Sequence, residues 1–213
     1  RRVHLLLPGS GGVLMGKVIV IAGNSGVGKT TLAAALCRLL PLTPGLEQHV
    51  ERPFQALMAA DPPRYALANQ VDFMLLRAEQ ERAVRAASAD GLIDGGLDLD
   101  FHVFTRLFHR KGYLTTAEFG LLDRLHAQMR DLLGPPDLLL YLTAPLPVVE
   151  ARFARRGRPL EIAQRDDLVQ MERYIADWIQ SVIAVPIIHI DATSDDYTDP
   201  ERLATLTAQI ATL

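Results

Sequence analysis

The chain has little of several things, and each scarcity excludes something. It carries one cysteine in 213 residues, Cys37, so no disulfide can form within it. Cys37 falls in an apolar stretch and reads as a buried core thiol, which fits a reducing cytoplasm. No apolar run approaches the roughly 18–20 residues of a membrane span, so no membrane role is expected. Charge of one sign is also missing. Lys and Arg number 22 against 25 Asp and Glu, a net charge of −3. Such a balance gives no general attraction to nucleic acid or to anionic lipid. Aromatic residues make up 6% of the chain and tryptophan occurs once. Trp178 and Tyr174 fall on an amphipathic stretch and read as packing residues. The histidines His4, His49, His102, His109, His126 and His189 show no metal-ligand spacing. No repeat, low-complexity segment or long linker divides the chain.

What is present is an ordinary globular composition, 49% hydrophobic and 22% charged. A chain of this length can bury a full core. Residues 1–14 contain a short apolar run and Pro8-Gly9-Ser10-Gly11-Gly12, with Met15 just before the first strand. They read as an extension upstream of the true start. Strands are expected at Val18–Ala22, near Gln48–Val50, and at Gly91–Ile93, Leu138–Leu142 and Ile187–Ile190. The last three are brief and apolar on both sides, as strands buried between helices are. Helices are expected over Thr31–Leu40, Arg64–Ser88, Thr116–Leu133, Pro147–Arg156, Asp166–Ser181 and Pro200–Leu213. The second of these shows a broad apolar face of Ala66, Val71, Phe73, Met74, Leu75 and Ala78. Thr116 reads as the N-cap of the third. Its apolar positions are Phe119, Leu122, Leu125, Met129 and Leu132.

The strongest local signal is Gly23-Asn24-Ser25-Gly26-Val27-Gly28-Lys29-Thr30, which fits G-x-x-x-x-G-K-[ST]. A β-branched strand precedes it and a helix follows, as the motif requires. Glycines let backbone N–H groups turn inward around an anion, and the helix N-terminus adds partial positive charge. Lys29 can reach the β- and γ-phosphates, and the Thr30 hydroxyl can ligate Mg²⁺. Thr31 continues the site into the helix. ATP and Mg²⁺ are therefore the expected cofactors. The expected architecture is α/β: a P-loop NTPase with a five-stranded, mainly parallel sheet flanked by helices, one domain over residues 15–213.

Phosphoryl transfer needs cations over the moving phosphate and a carboxylate for the acceptor. Arg152, Arg155, Arg156 and Arg158 cluster at a helix end, with Arg152 and Arg156 on one face. Gly157 is placed to end that helix. Together they read as an arginine-rich lid. Glu47, Glu51 and Asp94 are the acidic candidates for binding Mg²⁺ or accepting a hydroxyl proton. Asp94 follows an apolar strand, at the sheet edge where ligands bind. Gln70 and Arg77 lie about two turns apart on one helix face and can read a nucleobase edge. Asp100 can pair with Arg77.

These pieces resemble the deoxynucleoside kinases, particularly the bacterial deoxyadenosine/deoxyguanosine branch, over almost the whole chain from Met15. Glu47 stands about eighteen residues after Lys29, as the family acid does. Arg52-Pro53-Phe54-Gln55 is similar to its N-P-F-L segment. Asp61-Pro62-Pro63-Arg64-Tyr65 is similar to its D-P-K-R-W/Y helix start. Arg152, Arg156, Gly157, Arg158 and Glu161 match the lid motif R-x-x-x-R-G-R-x-x-E. Ile190-Asp191-Ala192 with Asp195-Asp196-Tyr197 looks like the loop that cradles the ATP adenine. The resemblance implies that Glu47 or Asp94 deprotonates a nucleoside 5′-hydroxyl and that Thr30 and an acid hold Mg²⁺. Arg156 and Arg158 would stabilise the transferring phosphoryl. Glu161 would contact the deoxyribose 3′-hydroxyl, and Gln70, Arg77 and Asp100 would read a purine. It also implies a homodimer, or a heterodimer with a related subunit. Two positions depart from the pattern: Gly95 replaces the arginine of the D/E-R-S segment, and Ala59 replaces a tyrosine. A kinase for another small acceptor, such as a nucleoside monophosphate, and a nucleotide-binding partner subunit stand as alternatives.

Overall fold

A computed structural model describes residues 16–45, 52–157, 163–194, 197 and 199–212. Five strands form one parallel sheet, each element following from its local sequence. Strand β1 (Val18–Gly23) is the β-branched run VIVIAG, buried along its whole length. It lies at the centre of the order β2-β3-β1-β4-β5. Its neighbours are β3 (Gly91–Asp94) and β4 (Leu138–Thr143). The edges are β2 (Thr43–Gly45) and β5 (Ile187–Asp191). The second strand thus forms at Thr43–Gly45; the segment expected near Gln48–Val50 lies outside the described residues. Gly91 has a packing reason. A Cβ there would stand 1.8 Å from Val84 Cγ1, so only glycine lets β3 pass under the helix that precedes it.

Nine α-helical segments are described. They are α1 (Lys29–Leu39), α2 (Gln55–Ala60), α3 (Pro62–Arg85), α4 (Gly96–Leu99), α5 (Arg106–Arg110), α6 (Thr116–Leu133), α7 (Leu146–Arg156), α8 (Leu168–Ser181) and α9 (Pro200–Ala211). A π-helical stretch, Asp100–Thr105, joins α4 to α5. The run from Gly96 to Arg110 and helix α2 have no counterpart in the sequence reading. The cap of α6 is Thr115, one residue before the position expected. Its hydroxyl accepts from the Glu118 N–H, and the Glu118 carboxylate accepts from the Thr115 N–H in return, a capping box.

Three expectations of burial are corrected. Cys37 is half-buried rather than enclosed. Leu132 on α6 is 88% exposed. The buried face of α3 is not the apolar one: Val71 and Ala78 are half-buried and Leu75 is exposed. Asn69, Gln70, Arg77 and Glu81 are buried instead, with Ala66, Met74 and Val84. Buried polar groups on this scale need partners or a ligand. That face runs along the site.

Candidate active site

The donor end is built where β1 turns into α1. Gly23, Gly26 and Gly28 hold φ of 150°, 87° and 112°, values that L side chains rarely adopt. Gly26 also lets α7 lie on the loop; a Cβ there would stand 3.0 Å from Val149 O and Phe153 N. Lys29 Nζ donates to the Gly23 and Asn24 carbonyls, both at 2.9 Å, which holds the ammonium across the loop. The parallel register sets Ile21 beside Asp94 and so brings the end of β3 against α1. Thr30 Oγ1 donates to Asp94 Oδ2 at 2.5 Å. Hydroxyl and carboxylate together make an all-oxygen pair of the kind Mg²⁺ takes.

The Asn24 side chain is spent within the protein. It is wholly buried; its side-chain NH₂ donates to Leu168 O and Glu172 Oε2, both at 2.9 Å, and its Oδ1 accepts from the Ser25 N–H. It fastens the loop to α8. Tyr141 stands on the same carboxylate, 3.4 Å from Glu172 Oε1. Burial and the adjacent Glu172 push the Tyr141 phenol up to about 12. Val27 packs in the core, and Ser25, Gly26, Gly28, Lys29, Thr30 and Thr31 line the cavity.

The arginines divide. Arg152 Nη1 donates to Val27 O at 3.2 Å and Ala192 O at 2.7 Å, and its Nη2 to Thr193 O at 3.0 Å. It ties α7 to the phosphate loop and to the turn after β5, at the cavity wall. Arg155 and Arg156 line the cavity as well, and Arg156 lies over the Phe153 ring at 5.7 Å. Gly157 takes the left-handed conformation, φ 52°, and ends α7 as its position suggests. Arg158, Glu161, Glu47 and Glu51 lie outside the described residues. Tyr197 is buried, with Arg202 over its ring at 5.6 Å, and does not line the cavity. Arg106 does not line the cavity: it sits over the Tyr174 ring at 4.3 Å and 3.6 Å from Asp177.

The acceptor end is formed by α3, α4 and the π-helical stretch. Arg77 Nε donates to Asp100 Oδ2 at 2.8 Å, an ion pair with both side chains under 10% exposed. Gln70 Nε2 donates to Asp100 O at 3.1 Å and Thr105 Oγ1 at 2.8 Å. The three expected base-reading residues are thus brought together. Asn69, Phe73, Leu99, Phe104 and Phe108 complete that wall, and Gln55 reaches it from α2. The sequence reading missed these. Their one local signal was Phe104, four residues after Asp100. One cavity of about 350 Å³ runs from the loop to this wall past Asp94 and Gly95. Its size is that of a small-molecule site.

Beneath the acceptor wall, Asp98, His102 and His126 gather with ligand atoms within 4.8 Å of one another. Arg130 Nε already stands 3.2 Å from Asp98 Oδ1, and His126 Nε2 stands 2.8 Å from the same oxygen. The carboxylate's charge is therefore met by the Arg130 guanidinium. Burial works to raise the Asp98 carboxyl, but the His126 hydrogen bond and Arg130 outweigh it and hold it low. Burial, with His126 adding to it, pushes His102 down to about 4.

A glycine loop at the carboxyl edge of a parallel sheet, with Lys and Thr at the helix start and arginines over it, defines a P-loop phosphotransferase. The deoxynucleoside kinase family model matches residues 19–213, and the chain belongs to that family. It is 25% identical over 202 residues to the deoxyadenosine/deoxycytidine kinase of Bacillus subtilis, covering 92% of each chain. It is also 25% identical over 193 residues to the deoxyadenosine kinase of Dictyostelium discoideum, covering 90% of this chain and 78% of that one. The fold is similar to that of M. mycoides deoxyadenosine kinase solved with bound dCTP, at TM-score 0.75 and 17% identity, over 92% of this chain and all of that one. Among the described residues no helix is long and apolar enough to cross a membrane.

Proposed function

We propose that the chain transfers the γ-phosphoryl of ATP to the 5′-hydroxyl of a purine deoxynucleoside, a step of nucleotide salvage in the cytoplasm. The observation that carries this is the continuity of one cavity, with Lys29 and Thr30 at one end, Gln70, Arg77 and Asp100 at the other, and Asp94 between. Phosphoryl transfer is mostly positioning and charge neutralisation, and this layout serves both. Loop N–H groups and Lys29 would cradle the β- and γ-phosphates. Thr30 and a carboxylate, Asp94 or Glu47, would hold Mg²⁺, which when bound neutralises phosphate charge. Arg156 and Arg158 would face the transferring group. Phe104 and Phe73 offer flat apolar surfaces to a base, and Glu161 would take the sugar 3′-hydroxyl. Arg155 lines the cavity and would supply the positive charge that Gly95 cannot. The proton leaves the 5′-hydroxyl for Asp94 or Glu47. The relative named for deoxyadenosine alone favours a purine.

Purified protein assayed with ATP, Mg²⁺ and each of the four deoxynucleosides tests the reading. Phosphorylation of a purine deoxynucleoside above the pyrimidines is expected; ATP binding without turnover of any of the four would favour the partner-subunit alternative. Asp94→Asn and Glu47→Gln separate the two acid roles. The variant that loses the base loses kcat at all Mg²⁺ concentrations, and the one that loses a metal ligand recovers as Mg²⁺ rises. A homodimer is also proposed, through the outer faces of α3 and α6, where Leu75, Leu121 and Leu132 are 46%, 48% and 88% exposed. Sedimentation of the purified chain tests it.

A further inference from the structure

The buried polar face of α3 holds one residue whose chemistry the rest of the site does not use. Asn69 is 0% exposed, and neither its Oδ1 nor its Nδ2 meets a hydrogen-bond partner among the described residues. Roughly 90% or more of buried polar groups in native structures are paired, so an amide with both ends idle is an exception that needs a cause. Asn69 also forms part of the cavity wall, beside Gln70 and one turn before Phe73. Its neighbour is committed: the Gln70 NH₂ donates to Asp100 O and Thr105 Oγ1. Gln70 therefore has its Oε1 left to offer, an acceptor alone. The Arg77 Nε–H is turned to Asp100. In the acceptor half of the cavity, the Asn69 carboxamide offers a donor and an acceptor side by side, neither of them paired among the described residues.

A carboxamide of that kind pairs two-point with a heterocycle edge that carries an acceptor next to a donor, as asparagine does with N7 and the 6-amino group of adenine. Resting on the reading that the acceptor is a purine deoxynucleoside, we propose that Asn69 is a specificity-determining residue that reads the C6 substituent of the base. Its Oδ1 accepts from a 6-amino group, or its Nδ2 donates to a 6-oxo group. Base binding then satisfies an amide that the empty protein leaves unpaired. The C6 substituent is thereby worth far more to this enzyme than its size suggests.

The test measures kcat/KM for deoxyadenosine and for 2′-deoxynebularine, the same nucleoside without a C6 substituent, and for deoxyguanosine against 2-aminopurine deoxyriboside. Each is run on the wild type, Asn69→Leu and Asn69→Asp. Wild type is expected to prefer the C6-substituted member of the pair it uses by roughly tenfold or more, the discrimination of a good two-point contact. Asn69→Leu is expected to bring that ratio close to one. Asn69→Asp, which lacks the donor, should keep a preference for 6-amino and lose any for 6-oxo. Thermal stabilisation by ATP, measured on each variant, reports that the fold and donor end are intact, and the ratio is read only within a folded variant. If folded Asn69→Leu and Asn69→Asp both keep the wild-type ratio, the Asn69 assignment is overturned while the kinase reading stands. If wild type turns over none of the four nucleosides, the kinase reading falls instead.

Discussion

The two ends of the cavity are built in opposite ways. At the donor end the chemistry is contiguous. Lys29 crosses back to carbonyls only five and six residues earlier, and eight consecutive residues make the loop. At the acceptor end nothing is contiguous. Gln70 and Arg77 on α3 reach residues 23 to 35 positions away in the chain. The donor loop is held by backbone geometry, three glycines and one buried asparagine. The acceptor wall is held by buried side-chain polarity. Backbone geometry tolerates the loss of a side chain; a buried ion pair does not. A local motif thus fixes the donor end, while a wall assembled from several helices can change what it reads without disturbing that loop.

The contrast is broken most forcefully at Arg77. Arg77→Met breaks the buried ion pair by removing the guanidinium from the Asp100 carboxylate, which costs about 3–5 kcal/mol of stability. Urea unfolding should show a fall of that size, together with weakened nucleoside binding, whereas ATP should still stabilise the variant. Asp100 changed to Asn should cost less, because Asn still accepts from the guanidinium. At the donor end the reverse pattern is expected. Lys29→Ala removes the charge proposed to meet the phosphates, not a buried ion pair, so unfolding should change little. The rate constant kcat should fall by ~10²–10³, about 3–4 kcal/mol of barrier, the scale seen for one preorganised electrostatic donor. Equal unfolding losses in the two variants would erase the distinction between the halves.

The same difference explains how much could be read from the sequence. The strand, loop and helix around Gly23–Thr30 are consecutive, and so is the arginine run that ends at Gly157; both were legible in type and place. Asp94 was legible because an apolar strand points its end at the ligand edge. Gln70 and Arg77 were legible as a polar pair two turns apart on one helix face, and Asp100 as a partner for Arg77, because an amide and a guanidinium at that spacing have an evident use. Asn69 and Phe108 were not legible. Hydrophobic periodicity assigns a helix's apolar stripe to the core, and α3 buries a polar stripe instead. Phe104 and Phe108 sit on a helical run that passes from α to π and back over Gly96–Arg110, which fits no single period. A buried polar face is visible in sequence only once its partners are known to be opposite: here Asp100 and Thr105, and Arg130, which donates to Glu81 at 3.1 Å.

The layer beneath the acceptor wall sharpens the comparison through pH. His102 stacks on Trp178 at 5.6 Å and packs edge-on to His126 at 5.2 Å, with the Asp98–His126 pair and Arg106 beside it. Its value falls from an ordinary 6.5 to about 4 on burial, so the unfolded chain binds the proton more readily. Stability from this group is fully present above about 6.5 and is lost as pH falls through about 4, up to about 3 kcal/mol in all. Asp123 and Asp98 oppose the shift without reversing it. Melting temperature followed from pH 7 to pH 4 should decline, and His102→Gln should flatten that decline. Hydrogen exchange at pH 5 should rise first in Gly96–Arg110 and leave the phosphate loop protected. A wild-type curve that the substitution does not change would remove His102 from the account.

The smallest effect expected is at Gly95, where the two halves meet. Side-chain logic says that an arginine should be restored there, since Arg is the residue that the family pattern carries. Backbone geometry says otherwise. Gly95 holds φ 85° and ψ −76°, and its N–H donates to Ile21 O at 3.0 Å, which fixes it between β3 and α4. Space is not the obstacle: a Cβ would come no nearer than 3.4 Å to Leu99 Cδ2 and 3.9 Å to Arg77 Nη2. The obstacle is the backbone: φ 85° with ψ −76° lies outside the left-handed helical well, in a sparsely populated region that costs an L residue about 1–3 kcal/mol. Gly95→Ala measures that cost alone and should lower stability by this amount with kcat nearly unchanged. Gly95→Arg carries the same backbone cost and adds a cation beside the Arg77 guanidinium, so it should be no more stable than Gly95→Ala and no more active than wild type. With Arg155 in its proposed role at the cavity wall, Gly95→Arg should raise kcat in Arg155→Ala, whereas in the wild-type background it should not. A gain of activity from Gly95→Arg alone would show that the acceptor end lacks the charge Arg155 is said to supply.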